Sequence, residues 1–79
     1  MKRDILNLIQ YITWFATERG EVFSPIRLVK FLYLADLYHA RRNDGATFTG
    51  WPWRFVHYGP FCRESLDAIR SAVDEGLIC

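Results

Sequence analysis

Hydrophobic side chains recur at helical spacing between residues 4 and 19. At about 100° per residue, one face of such a helix collects Ile5, Leu8, Ile9, Ile12, Phe15 and Ala16. Asp4 suits an N-cap or a first-turn acid, and Gly20 stands where a C-terminal cap belongs. The pattern therefore predicts a first helix from about Asp4 to Arg19.

A second helix is predicted from Ser24 to about Arg42. Ser24 is a favourable N-cap, and Pro25 suits the first helical position because the nitrogen of this residue needs no helical partner. Apolar residues surround most of this helix, which is typical of a central, buried element. A narrow basic strip is formed by Arg27, Lys30 and Arg41.

After a turn at Asn43-Asp44-Gly45, residues 47–61 form an aromatic connector interrupted by glycine and proline. We expect one short strand or helical turn near Trp53–His57. A third helix is predicted over 61–75, with its apolar face on Cys62, Leu66, Ile69, Ala72 and Val73 and with Gly76 as its cap. Leu77–Cys79 then reads as the start of a strand. The predicted fold is mostly α, with a three-helix core, an aromatic connector and a short C-terminal strand start.

Composition limits the class of protein. The chain has 79 residues, enough for a single domain over 1–79, and 51% of them are hydrophobic, which argues against a disordered tail. The formal net charge of +1 does not indicate a strongly basic nucleic-acid binder. The longest apolar run, Phe31–Ala35, is too short for a membrane span, and the N-terminus has no signal-peptide pattern. We expect a cytoplasmic protein.

Catalytic and metal motifs are missing from the sequence. Cys62, Cys79, His39 and His57 have no zinc-like spacing, so we predict no metal and no cofactor. No phosphate loop, nucleophilic triad or dinucleotide fingerprint occurs. An enzyme would have to use Asp36, His57 or Cys62, and these side chains would have to converge in one pocket. We therefore predict a protein without catalytic activity.

Asp36 lies on an apolar side of the second helix, between Val29, Leu32 and Ala40. A buried carboxylate without partners costs several kcal/mol, so Asp36 is predicted to accept hydrogen bonds from backbone N–H groups or from Arg54. The tripeptide Tyr58-Gly59-Pro60 predicts a sharp corner, because Gly59 permits positive φ and Pro60 can open a helix.

Tyr11 and Trp14 lie on the otherwise polar side of the first helix. Two interpretations are open. The connector could fold over them as a second layer of core, or they could remain exposed and anchor a partner protein, as aromatic residues often do. Trp51 and Trp53 of the connector are further candidate anchors.

Two segments together resemble a known family. Residues 26–36 read IRLVKFLYLAD and resemble the helix KLLYLAD of the Panacea domain, the SocA-like antitoxin family that also occurs in phage-associated and genetic-element proteins. Residues 55–61 read FVHYGPF and resemble that family's YGP corner, which is followed by a helix ending in GLI, here residues 76–78. The family-motif residues that carry the resemblance are Lys30, Tyr33, Leu34, Ala35, Asp36, Tyr58, Gly59 and Pro60.

The resemblance implies a mostly helical domain that neutralises a cognate toxin by direct binding, and in some members presents the toxin to a protease. Lys30, Asp36 and Tyr58 would shape such a domain, while exposed aromatic residues would touch the partner. Since the family domain continues beyond GLI, the resemblance also implies that 1–79 is the N-terminal part of a longer domain.

Alternative functions remain open on the sequence. Three helices followed by a strand can form the front of a DNA-binding winged helix, with the third helix as reader. That helix is acidic, however, with Glu64, Asp67, Asp74 and Glu75 against Arg63 and Arg70, which makes nucleic acid an unfavoured partner. A mobile-element protein of another role is a further alternative. A strand at Leu77–Cys79 would offer an open edge for a homo-oligomer.

Overall fold

Three helices and one short hairpin form the described part of the chain. The computed structural model describes residues 3–21, 24–57 and 59–78. Its elements are α1 (Arg3–Glu18), α2 (Pro25–Arg42), β1 (Arg54–Val56), β2 (Gly59–Phe61) and α3 (Arg63–Asp74). The expectation of a mostly helical fold with three helices and an aromatic connector is confirmed.

The helix ends follow the capping residues in the sequence. The Ser24 hydroxyl accepts a hydrogen bond from the Arg27 N–H at 3.3 Å and begins α2. Gly20 and Gly76 both have φ of +73° and end α1 and α3. In each case the N–H of the next residue donates a hydrogen bond to the carbonyl five positions earlier. This bond pairs a carbonyl that the last turn of the helix would leave without a donor.

The core lies where the three helices meet. Leu6 and Ile9 of α1, Leu32 of α2, and Ala68 and Ala72 of α3 are at most 1% exposed. The alanines let the backbone of α3 approach its neighbours closely, and the larger residues of α1 and α2 fill the space between the helices. The core is thus small and built mainly from aliphatic side chains.

The buried faces of α1 and α3 differ from the predicted ones. In α1 the buried arc extends to Leu6, and Phe15, which the periodicity predicts on the core face, is 44% exposed. In α3 the core takes Ser65 and Ala68, whereas Leu66 and Val73 are exposed. The face of α3 that packs against the other helices is thus the one with the smaller side chains, since these allow tighter contact between helices.

The prediction that α2 is buried around most of its circumference is wrong. One side is buried through Leu28, Val29, Leu32 and Asp36. Its opposite side leaves large residues exposed, which are Ile26, Phe31, Leu34 and Tyr38. α1, α3 and the hairpin all contact α2, but they leave its outer side uncovered.

The connector contains two strands where one short element was expected. β1 and β2 pair antiparallel, with Phe55 opposite Pro60 and Val56 opposite Gly59. Pro60 therefore lies in a strand and does not open α3, which begins at Arg63 after Cys62. Proline is tolerated here because β2 has a partner strand on one side alone.

The expected C-terminal strand is not formed at Leu77 and Ile78. Both residues are partly buried and pack against the core after the turn at Gly76. Cys79, the third residue of the expected strand, lies outside the described residues. The open strand edge that suggested a homo-oligomer is therefore not present at these two positions.

Replacing a core leucine should destabilise the protein far more than replacing an exposed leucine of the same helix. Leu32 is 0% exposed and Leu34 is 46% exposed. We expect Leu32→Ala to lower the free energy of unfolding by about 3 kcal/mol, and Leu34→Ala by about 0.5 kcal/mol. Urea unfolding followed by tryptophan fluorescence measures both. Equal losses for the two variants would contradict the described orientation of α2.

Candidate functional site

Asp36 fastens the connector to α2. Its side chain is 1% exposed. One carboxylate oxygen accepts the Thr49 N–H at 3.0 Å, and the other accepts the Trp53 indole N–H at 2.7 Å. The Thr49 hydroxyl also donates to this second oxygen. Three donors from the connector thus converge on one buried carboxylate.

This arrangement explains how a carboxylate is accommodated among apolar residues. Burial without donors would cost several kcal/mol, whereas hydrogen bonds to a charged group each recover about 1.5–3 kcal/mol. The sequence predicted a backbone N–H donor without naming its residue, and in the structure this donor belongs to Thr49. Arg54, the alternative partner, has an exposed side chain in β1 and makes no ion pair among the described residues. His57 is exposed beyond β1, and it is not among the hydrogen-bond partners of Asp36, which are Thr49 and Trp53.

Further hydrogen bonds give the connector a defined path over α2. The Thr49 hydroxyl accepts the Trp51 N–H at 3.2 Å, and the Thr47 hydroxyl accepts the Gly50 N–H at 2.9 Å. These short-range contacts hold the backbone in a turn before Trp51. Asp36 and the two threonines together place the tryptophans.

Trp51 and Trp53 complete the core and do not stand out as exposed anchors. Both are partly buried and pack against the aliphatic core. Their rings meet edge to face at 5.8 Å, and Trp53 also meets Tyr33 of α2 edge to face at 5.4 Å. Trp51 and Trp53 therefore offer a partner less exposed surface than Tyr11 and Trp14 of α1 do.

The residues of the family motifs fall into separate positions. Tyr33 and Asp36 face the connector from α2, and the Tyr33 ring also meets Phe55 of β1 at 5.4 Å. Gly59 has the predicted positive φ, at +117°, and Pro60 follows it in β2. Lys30 is exposed on the outer side of α2. Tyr58 lies outside the described residues.

Tyr11 and Trp14 are not covered by the connector. Tyr11 is 59% exposed and Trp14 is 54% exposed. With Phe15 they form what we term the α1 aromatic cluster, in which the Tyr11 ring lies 6.0 Å from that of Trp14 and 6.3 Å from that of Phe15. The Arg19 guanidinium lies over Phe15 at 4.8 Å and closes one end of the cluster.

The α1 aromatic cluster borders an open groove of about 940 Å³. Tyr11 and Trp14 of α1 line it, as do Val73 of α3 and the following residues Leu77 and Ile78. Buried side chains of α2 and α3, Leu28 and Ile69, also line it. The sequence did not predict this groove, because its lining residues come from opposite ends of the chain. In addition, the helical pattern places Val73 in the core, whereas the structure leaves it exposed.

Cys62 is a buried thiol at the start of α3. It is 4% exposed, and burial raises the pKa of this thiol above its usual value, against the opposing effect of hydrogen bonds from Ser65. Glu64 and Asp36 raise the pKa further, because a neighbouring negative charge disfavours the thiolate. The Ser65 hydroxyl donates to the Cys62 carbonyl at 2.6 Å. Cys62 is thus protonated near neutral pH.

Residues 3–21, 24–57 and 59–78 contain neither a metal-binding cluster nor a membrane-spanning helix. No group of three or more His, Cys, Asp or Glu side chains within these ranges is arranged to hold a metal ion. None of the helices in the same ranges has the length and apolar character needed to cross a membrane.

Comparison with known proteins found no match. No family model matches the chain, and no curated protein or solved structure matches it. The resemblance to the Panacea domain therefore rests on the motif residues themselves and stays a prediction.

Removing the Asp36 carboxylate should detach the connector. Asp36→Ala leaves the Thr49 N–H and the Trp53 indole N–H without their acceptor, so we expect a loss of about 3 kcal/mol in the free energy of unfolding. Tryptophan emission should also shift to longer wavelength, because Trp53 becomes more hydrated. Asp67→Ala, on the exposed side of α3, is the matched control and should change stability by less than about 0.5 kcal/mol. A similar loss in both variants would refute the anchoring role.

The Cys62 thiol should react slowly in the folded protein. In a Cys79→Ser background, modification by a disulfide reagent at pH 8 should be slow, and it should accelerate when urea unfolds the chain, since burial and a raised pKa both suppress the thiolate. A raised folded-state pKa also contributes stability that is complete below the usual cysteine pKa and lost as pH rises through the folded value. A native rate equal to the unfolded rate would contradict the described burial.

Proposed function

We propose that this chain is a protein-binding module that receives a partner protein in the groove beside the α1 aromatic cluster. The observation that supports this most is the exposure of Tyr11 and Trp14 next to an apolar groove. The fold is able to pack tryptophan, since Trp51 and Trp53 are partly buried, yet Trp14 stays exposed. Exposed tryptophan and tyrosine are the residue types that most often dominate binding energy at protein interfaces.

The shape of the groove favours a protein segment over a small molecule. Small-molecule pockets usually enclose most of their ligand. Here the lining residues Tyr11 and Trp14 are each more than half exposed, so a small molecule would remain largely in water. Polar side chains of α1, Asn7, Gln10 and Thr17, line the groove together with these apolar residues. A lining that combines apolar and polar side chains suits an amphipathic segment of a partner.

The family resemblance suggests what the partner is. A SocA-like domain would bind a cognate toxin and neutralise it directly, or present it to a protease. In this proposal Asp36 and Tyr33 act through the fold, since they hold the connector on α2. Tyr11 and Trp14 make the contacts with the toxin.

Co-expression with the product of each small gene adjacent to this one tests the proposal. We expect one product to arrest growth alone, to be neutralised by this chain, and to co-purify with it. Trp14→Ala should weaken that complex by about tenfold to a hundredfold, because a central aromatic anchor contributes about 1.4–2.8 kcal/mol or more. Titration calorimetry measures the change.

Phe48→Ala is the matched control, because Phe48 is a similarly exposed aromatic residue of the connector that lies outside the groove. It should leave affinity unchanged. If every adjacent product gives neither a complex nor rescue of growth, the antitoxin function is wrong. If a complex forms but Trp14→Ala binds as tightly as the parent, the groove is not the interface.

A further inference from the structure

The outer side of α2 combines exposed apolar side chains with cations. Phe31, Leu34 and Tyr38 follow one another at spacings of three and four residues, so they form a single stripe along the helix. The same side carries basic residues, which are Arg27, Lys30, Arg41 and Arg42. We call this surface the α2 cationic face.

α2 itself contributes no acidic side chain to this side. Asp36, the acidic residue of α2, projects from the opposite side and is buried under the connector. No ion pair between described residues involves Lys30, Arg41 or Arg42. At the beginning of the helix Arg27 meets Glu21 at 3.8 Å, so a carboxylate of the chain already lies against this surface.

One cation of the face is held in place before any partner binds. The Arg42 guanidinium lies over the Tyr38 ring at 4.7 Å, and Tyr38 is 60% exposed. The cation–π contact limits the rotamers of Arg42 while its N–H donors remain available to an acceptor. Less conformational entropy is then lost when a carboxylate binds.

We propose that the α2 cationic face is a second docking surface, and that its occupant is an acidic amphipathic helix of a partner protein. Leu34 would sit at the centre of the contact, packed against the apolar stripe of that helix. Lys30 on one flank and Arg41 and Arg42 near the C-terminal end would pair with its glutamates or aspartates. Charge complementarity thus defines the partner.

The placement of charge favours a helix over nucleic acid. Lys30 and Arg41 are separated by about 16 Å along the axis, at about 1.5 Å per residue. Between them the outer stripe is apolar, with Leu34 and Tyr38 exposed. A groove that tracks a phosphate backbone needs cations along its length, whereas a helical partner needs apolar contact in the middle and charge at the flanks.

This second surface does not depend on the groove beside α1. Its residues all belong to α2, and none of Lys30, Leu34, Tyr38, Arg41 and Arg42 lines that groove. Variants of the two surfaces can therefore be tested separately, and failure of one proposal does not affect the other.

Binding of a synthetic peptide tests the inference. The probe is a helical peptide with leucine along one face and glutamate on both flanks, and its control has lysine in place of each glutamate. We expect the acidic peptide to bind, to weaken with added salt, and to lose at least about tenfold in affinity with Lys30→Glu/Arg41→Glu. The lysine peptide should fail to bind the parent protein and should bind that charge-reversed variant.

Matched variants distinguish an effect of the α2 cationic face from an effect of the overall charge of the protein. Arg70 is an exposed residue of α3 and lies outside the α2 cationic face. Arg70→Glu therefore reverses one charge away from that face and should leave affinity for the acidic peptide within about twofold. Leu34→Asp should weaken binding while circular dichroism shows the helices intact. No binding of the acidic peptide, an equal effect of Arg70→Glu, or tighter binding of oligothymidylate or of phosphatidylserine vesicles than of the peptide would each overturn the proposal.

Discussion

The fold depends on the accommodation of one buried carboxylate. Asp36 lies on the inner side of α2, where water is excluded, and its charge is met by two donors of Thr49 and the indole of Trp53. Since a buried carboxylate is tolerated when donors surround it, the connector must follow a path that brings them there. That path places Trp53 against Tyr33 and gives the hairpin its position beside α2.

The small core explains why so much apolar surface stays exposed. A chain of this size buries only about 60% of the surface that its unfolded form exposes. Hydrogen bonds to Asp36 hold the connector against α2, so it does not cover Tyr11 and Trp14 on α1. The outer side of α2 likewise has no described element over it, which leaves Leu34 and Tyr38 exposed. Both surfaces are exposed for the same reason, since no described element covers either of them.

Local signals predicted the helices well because they act within a few residues. Ser24 and Pro25 begin α2, and Gly20 and Gly76 reverse the chain after α1 and α3, as the sequence indicated. The burial of Asp36 and its need for donors also followed from its apolar neighbours. The sequence was less informative about Pro60, since proline suits either the start of a helix or a strand with a single neighbour, and pairing with Phe55 decided between them.

The sequence alone determined that three amphipathic helices form, through periodicity, and that one carboxylate lies among apolar residues, while its capping residues marked most of the helix ends. Tertiary structure decided which of the apolar residues on these helices remain exposed. Phe15, Leu34 and Val73 match the helical pattern of core positions, yet each is exposed, while Ser65 and Ala68 are buried because small side chains let helices approach. The groove beside Trp14 also depends on tertiary structure, since Leu77 reaches it from the far end of the chain. A helical pattern specifies a face, but the shape and number of neighbouring elements decide which part of that face is covered.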